Sequence, residues 1–179
     1  MATEIIWRYK LTAIASVLFL SAGAATCAPH KVYVFLSETC PISRYYTLAL
    51  KDLHAKYASD KLEFIAVFPN PLSTSRTIAA FEKKYSLPFP CIRDFDHTWV
   101  NRLRATITPE VVVVNPADSA VYRGRIDNAF ARIGKRRRTI TEHDLAAVLN
   151  ILGDGKSPSF RQTQAIGCFI TPLQKAKQE

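Results

Sequence analysis

The sequence is poor in the residues that build several common classes of protein. It holds 6 glycines, 4 cysteines, 4 histidines and 1 methionine in 179 residues. No Gly-rich loop of the kind that cradles phosphate is present, so phosphate chemistry has no footing. Four cysteines are too few for a disulfide scaffold in a chain of this size, and each must be read in its own surroundings. His30, His54, His97 and His143 show no ligand spacing, and a paired-cysteine motif is missing. No metal and no other cofactor is therefore expected. Internal repeats and low-complexity tracts are also missing. What remains is a chain that is 48% hydrophobic and 22% charged, a globular composition with room for one domain and a proper core.

The N-terminus differs in kind. Arg8 and Lys10 precede an almost wholly apolar run from Leu11, and Ala22, Gly23, Ala24 and Ala25 close it. The run is shorter than the ~20 residues needed to cross a bilayer, so residues 1–25 are read as an export signal cut near Ala24 or Ala25 rather than as an anchor. Thr26 and Ala24 suit a lipid-modified Cys27 poorly, because that signal prefers a small residue just ahead and a leucine further back. Export places the protein in a periplasmic or secreted setting, where disulfides persist. The net charge of +9 comes partly from Arg132 and Lys135-Arg136-Arg137-Arg138. No aromatic residues interleave with these cations, so a solvated loop is favoured over an anion site. Nucleic acid is not an expected partner behind an export signal, and the membrane enters only through that signal.

The rest of the chain is organised around Cys40. The stretch Lys31–Leu36 is β-branched and aromatic, whereas Ile42, Tyr45, Tyr46, Ala49, Leu53 and Tyr57 recur at helical spacing. A strand thus hands over to a helix at Cys40, and Pro41 suits the first helical position. Unpaired amides and the helix dipole there favour a thiolate, the nucleophilic form. The competing reading is that Cys40 is a small apolar filler.

Leu62–Phe68 reads as a second buried strand, followed by a helix capped at Ser73 or Thr74. Strand, helix, strand implies a parallel pair with a right-handed crossover. Cys91 lies among apolar neighbours in a short extended piece and reads as core filler. A brief helix is expected from His97 to Arg104. Val111–Val114 is a buried strand with a hairpin partner through Val121–Arg123. Pro109, just before that strand, is a candidate for a cis bond. Thr141–Asp144 has the pattern that opens a last helix through Leu152. From Gly153 onward the residues read as a flexible surface tail carrying Cys168.

Taken together, these elements resemble the thioredoxin fold, an α/β architecture with a central mixed sheet flanked by helices. The chain is more narrowly similar to the redoxin branch, the thiol-specific antioxidant (AhpC/TSA) and thioredoxin-like proteins, in an exported group. The residues that carry the likeness are Cys40-Pro41 with Arg44-Tyr45, Leu87–Pro90, Thr108–Glu110, Tyr122–Asp127 and Gly167-Cys168. The resemblance implies a domain over 30–152 and an extension over 153–179. It implies that Cys40 takes the place of the attacking cysteine, Pro109 that of the proline beside it, and that the Thr108 backbone binds an extended substrate segment. Ser43 stands where thioredoxins carry their second cysteine, so a disulfide within one helical turn is excluded. Tyr33 stands where peroxiredoxins carry a proline.

The leading expectation is an exported thiol-disulfide oxidoreductase in which the Cys40 thiolate attacks a disulfide of a protein partner. Cys168 is the candidate resolving thiol, because ~15 residues of tail can span ~50 Å. A structural disulfide of Cys168 with Cys40 or Cys27, or an idle thiol, stays open. One alternative activity is peroxide reduction, for which Arg123 or Arg125 would have to reach the thiolate. The other is a non-catalytic binding module that keeps the fold and has lost turnover. The residues leave the oligomeric state open.

Overall fold

The computed structural model describes residues 28–173. Residues 1–25, read as an export signal, and Cys27 lie outside that range. Among the described residues no helix is long and apolar enough to cross a membrane.

The first half alternates strand and helix. β1 (His30–Phe35) leads through a short loop into α1 (Pro41–Tyr57), and β2 (Leu62–Phe68) follows. Next come α2 (Ser75–Tyr85), β3 (Cys91–Arg93) and α3 (Thr98–Leu103). β1, β2 and β3 pair in parallel, as crossover connections require. Pairing in the second half is antiparallel except at β9: β4 (Ile107–Thr108), β5 (Glu110–Val114) and β6 (Ala120–Gly124) precede a small hairpin, β7 (Phe130–Arg132) and β8 (Lys135–Arg136). α4 (Asp144–Gly153) is followed by β9 (Arg161–Gln162) and β10 (Cys168–Phe169). The central sheet runs β3-β2-β1-β5-β6-β9, and β4 pairs separately with β10.

Alternation along β1 sorts the core into two layers. Val32 and Val34 pack with Ile42, Tyr46 and Leu50 of α1, Ile78 and Phe81 of α2, and Leu145, Val148 and Leu149 of α4. Tyr33 and Phe35 face the other way, onto Val100 and Leu103 of α3. Each fully buried aliphatic or aromatic side chain contributes about 1.5–3 kcal/mol. The mixed sheet and its flanking helices are those the sequence predicts.

Three expectations change. The basic stretch is exposed, but it forms the β7–β8 hairpin rather than a plain loop. Phe130 meets Tyr45 of α1 edge-on at 5.0 Å, and the Arg136 guanidinium lies over the Tyr45 ring at 5.4 Å. Thr141 does not cap α4; it exchanges hydrogen bonds with the Asn128 side chain at 2.8 and 3.0 Å, and the helix starts at Asp144. The segment after Gly153 is not a loose tail. β9 extends the central sheet in parallel with β6, and β10 runs antiparallel to β4.

That return is fastened by polar groups. The Asp144 carboxylate is buried and accepts hydrogen bonds from Arg125 and Arg161, both at 2.7 Å. Gly124, with φ of +139°, leaves room for Thr163: a Cβ there would fall 2.2 Å from the Thr163 carbonyl oxygen. Only glycine accepts both that backbone angle and that contact.

Candidate functional site

Cys40 is the residue that caps α1, in extended conformation, with Pro41 starting the helix. The loop before it is tied at several points. The Cys40 amide donates to the Ser37 carbonyl at 3.2 Å, and Arg44 Nε donates to the Glu38 carbonyl at 2.8 Å. The Glu38 carboxylate accepts from Ser73 Oγ at 2.7 Å and Thr77 Oγ1 at 2.8 Å, joining the loop to the start of α2. Such bracing holds the sulfur in one place.

The Cys40 thiol donates to the Thr108 carbonyl at 3.2 Å. Thr108 precedes Pro109 through a cis peptide bond. The buried Glu110 carboxylate fixes this turn by accepting the Thr106 amide at 2.8 Å. β10 lies along the same turn, with Cys168 opposite Thr108 in register. The approach is close enough to require Gly167, since a Cβ there would stand 2.2 Å from the Thr108 carbonyl oxygen. The result is a separation of 2.7 Å between the Cys40 and Cys168 sulfurs. A disulfide bond is ~2.05 Å, so a small side-chain rotation brings the pair to bonding distance.

Burial acts to raise the pKa of Cys40, yet the thiol lies below its ordinary value. Hydrogen bonds from the Cys168 thiol and amide and from the Ser43 amide and hydroxyl outweigh the loss of solvent. Ser43 is fully buried and accepts the Ser37 amide at 3.2 Å, which leaves its own hydrogen free to point at the sulfur. Cys168 moves the other way, pushed up to about 11 by burial first and then by its bond to Cys40 and the charge there. The two sulfurs are chemically distinct: one is the easier to ionise, the other the proton donor to it.

Access is equally uneven. Cys40 is 1% exposed. Cys168 is half-buried and lines a cavity of about 90 Å³ together with Ser37, Thr39, Asn70 and Thr108. Larger hollows of about 560 and 690 Å³ are lined by neither sulfur.

Of the residues singled out in the sequence, Cys40, Thr108, Pro109 and Cys168 stand together. Arg123 and Arg125 are held elsewhere. Arg123 donates to the Arg104 carbonyl at 2.9 Å and faces Glu110, while Arg125 is bound by Asp144 and Glu142. Cys91 stands in β3 beside the Phe89 carbonyl, and its thiol is pushed up to about 12 by burial and by the charge of Glu82. Among the described residues no cluster of three or more His, Cys, Asp or Glu could hold a metal ion. Three contributors lack any signal in composition. Ser43 reads as a lost cysteine, although a hydroxyl one turn into the helix is placed to reach the sulfur. Glu110 and Gly167 matter through contacts that only the fold creates.

No family model matches the chain, and no curated protein matches it. Solved structures do. An uncharacterized conserved protein from Geobacillus kaustophilus superposes with a TM-score of 0.71 at 22% identity, over 84% of this chain and 81% of that one. A hypothetical protein from Sinorhizobium meliloti gives 0.69 at 27% identity, over 81% and 80%. The thioredoxin domain of a thiol-disulfide oxidoreductase from Bacteroides vulgatus gives 0.51 at 9% identity, over 70% and 81%. The chain has the thioredoxin fold. Within that fold, position 43 holds a serine rather than a cysteine, and the C-terminal extension brings a second sulfur to the first.

Proposed function

We propose that this thioredoxin-fold protein is an exported thiol-disulfide oxidoreductase whose redox pair is Cys40 and Cys168. Residues 1–25 serve as its signal, 30–152 as its fold, and 153–179 as an extension that supplies the second sulfur. The observation that carries the reading is the 2.7 Å separation of the two sulfurs beside Thr108 and Pro109. A pair at that distance, one member favouring the thiolate and the other the thiol, can exchange a disulfide with protein cysteines. Cys40 is the more readily ionised sulfur of the pair, and Cys168 supplies the second sulfur that position 43 lacks.

Peroxide reduction gains no support from the arginines, since Arg123 and Arg125 are bound by other groups. A binding module without turnover has no need of a lowered thiol pKa. The test is catalysed oxidation or reduction of a dithiol peptide by the full chain, wild type against Cys40→Ser and Cys168→Ser. The expected result is a catalytic rate lost in both variants. A Cys40→Ser protein that matches the wild type would sink the proposal.

A further inference from the structure

The extension does more than deliver a second sulfur: it covers the first. β10 lies against the Thr108 turn, and the Cys168 sulfur stands on Cys40. Attack on a disulfide is in line, with the incoming thiolate opposite the departing sulfur. A reactant aimed at Cys40 would have to approach from the side away from Cys168, where Cys40 belongs to the main apolar core and is 1% exposed. One aimed at Cys168 meets the small cavity walled by Ser37, Thr39, Asn70 and Thr108. Pro69, Phe169 and Ile170 also line it, and its volume of about 90 Å³ has room for a thiol group.

We infer that the partner's cysteine bonds to Cys168 and not to Cys40, so that the covered Cys40 acts inside the protein as leaving group and resolving thiolate. This rests on the redox pairing proposed above. In the oxidising direction, a substrate thiolate attacks Cys168 Sγ. The substrate-Cys168 bond forms, the Cys40–Cys168 bond breaks, and the electron pair departs on Cys40. A second thiolate of the same substrate then attacks the substrate sulfur, and Cys168 leaves as a thiolate that takes a proton. The substrate dithiol becomes a disulfide, losing two electrons, and the protein disulfide becomes two thiols. Substrate reduction is the reverse: Cys168 joins the substrate disulfide, and the Cys40 thiolate releases it by attacking Cys168.

The two environments favour the same sulfur. Exchange is faster when the leaving thiol has the lower pKa, and Cys40 is the lowered member while Cys168 is raised. The roles are thus reversed from those the resemblance implies. The cysteine at the helix start never meets the substrate, and the one on the extension does.

The full-length wild-type protein, oxidised, is mixed with glutathione, quenched with acid at sub-second times, alkylated and mapped by mass spectrometry. The expected result at the earliest times is glutathione on Cys168 in about tenfold or greater excess over Cys40, with Cys40 alkylated. Glutathione chiefly on Cys40, with the Cys40–Cys168 disulfide present beforehand, would overturn this inference and leave the redox pair standing. Absence of that disulfide after oxidation would overturn both. As a second measurement, Cys40→Ser is expected to hold glutathione stably on Cys168. Equal capture by Cys40 in Cys168→Ser would also overturn the inference.

Discussion

Cys40 and Cys91 begin as the same kind of residue. Each follows or joins an extended stretch, each has apolar neighbours, and each is pushed toward the thiol form by loss of water. They end on opposite sides of the ordinary thiol range. At the head of β3 burial meets only the Glu82 charge and a distant carbonyl, so the Cys91 thiol rises to about 12. At the head of α1, donors from Ser43 and Cys168 point at the sulfur, and the pKa of the more deeply buried cysteine falls. Burial by itself makes a thiol inert; donors aimed at it decide whether it reacts.

The sharpest way to break this contrast is to remove the sulfurs. Cys40→Ser and Cys168→Ser are each expected to reduce turnover of a dithiol peptide to the uncatalysed rate, read by a continuous thiol assay. Gly167→Ala comes next. Its methyl would collide with the Thr108 carbonyl, and relieving an overpacked contact of this kind costs about 1–3 kcal/mol. The cost falls on the seat of β10, so the Cys40–Cys168 disulfide should form roughly 10–100-fold less favourably in a glutathione redox titration. Unchanged pairing in Gly167→Ala would show that β10 does not depend on this close approach.

A smaller effect is expected from Ser43→Ala, which removes one donor from the thiolate. In the reduced protein the Cys40 thiolate persists as pH falls, until its lowered pKa is crossed, and the ultraviolet absorbance of the thiolate fades below that point. Without the hydroxyl, the midpoint of that absorbance profile should rise, and only slightly, since this hydroxyl is the weakest of the donors to the sulfur. The smallest effect belongs to the other side of the contrast. Cys91→Ser is expected to leave peptide turnover unchanged, and Cys91 in the wild type should resist alkylation at pH 8, far below about 12. Rapid labelling of Cys91 by mass spectrometry would show that its burial is not protective.

The elements that depend on neighbours in sequence could be read directly from the chain. Alternation in Lys31–Leu36 and Val111–Val114, helical spacing after Pro41 and the Thr74 cap are local patterns, and they produce the strands and helices where the residues place them. The end of the chain was harder. After Gly153 the segment has little periodicity, because β9 and β10 are 2 residues each and owe their existence to partners. Glycines carried a hint: Gly124 and Gly167 sit where the returning chain crosses close to Thr163 and Thr108. Nothing near them in sequence says what they make room for.

The order of strands and helices, the sulfur at a helix start and the proline before a buried strand were determined by sequence alone. These follow from side-chain shape and from the fixed φ and missing amide of proline, which act over a few residues. Only the tertiary structure decided which sulfur covers which, and which arginines are free. Those outcomes depend on contacts between residues 128 apart, such as Cys40 and Cys168, and local chemistry has no means of stating them.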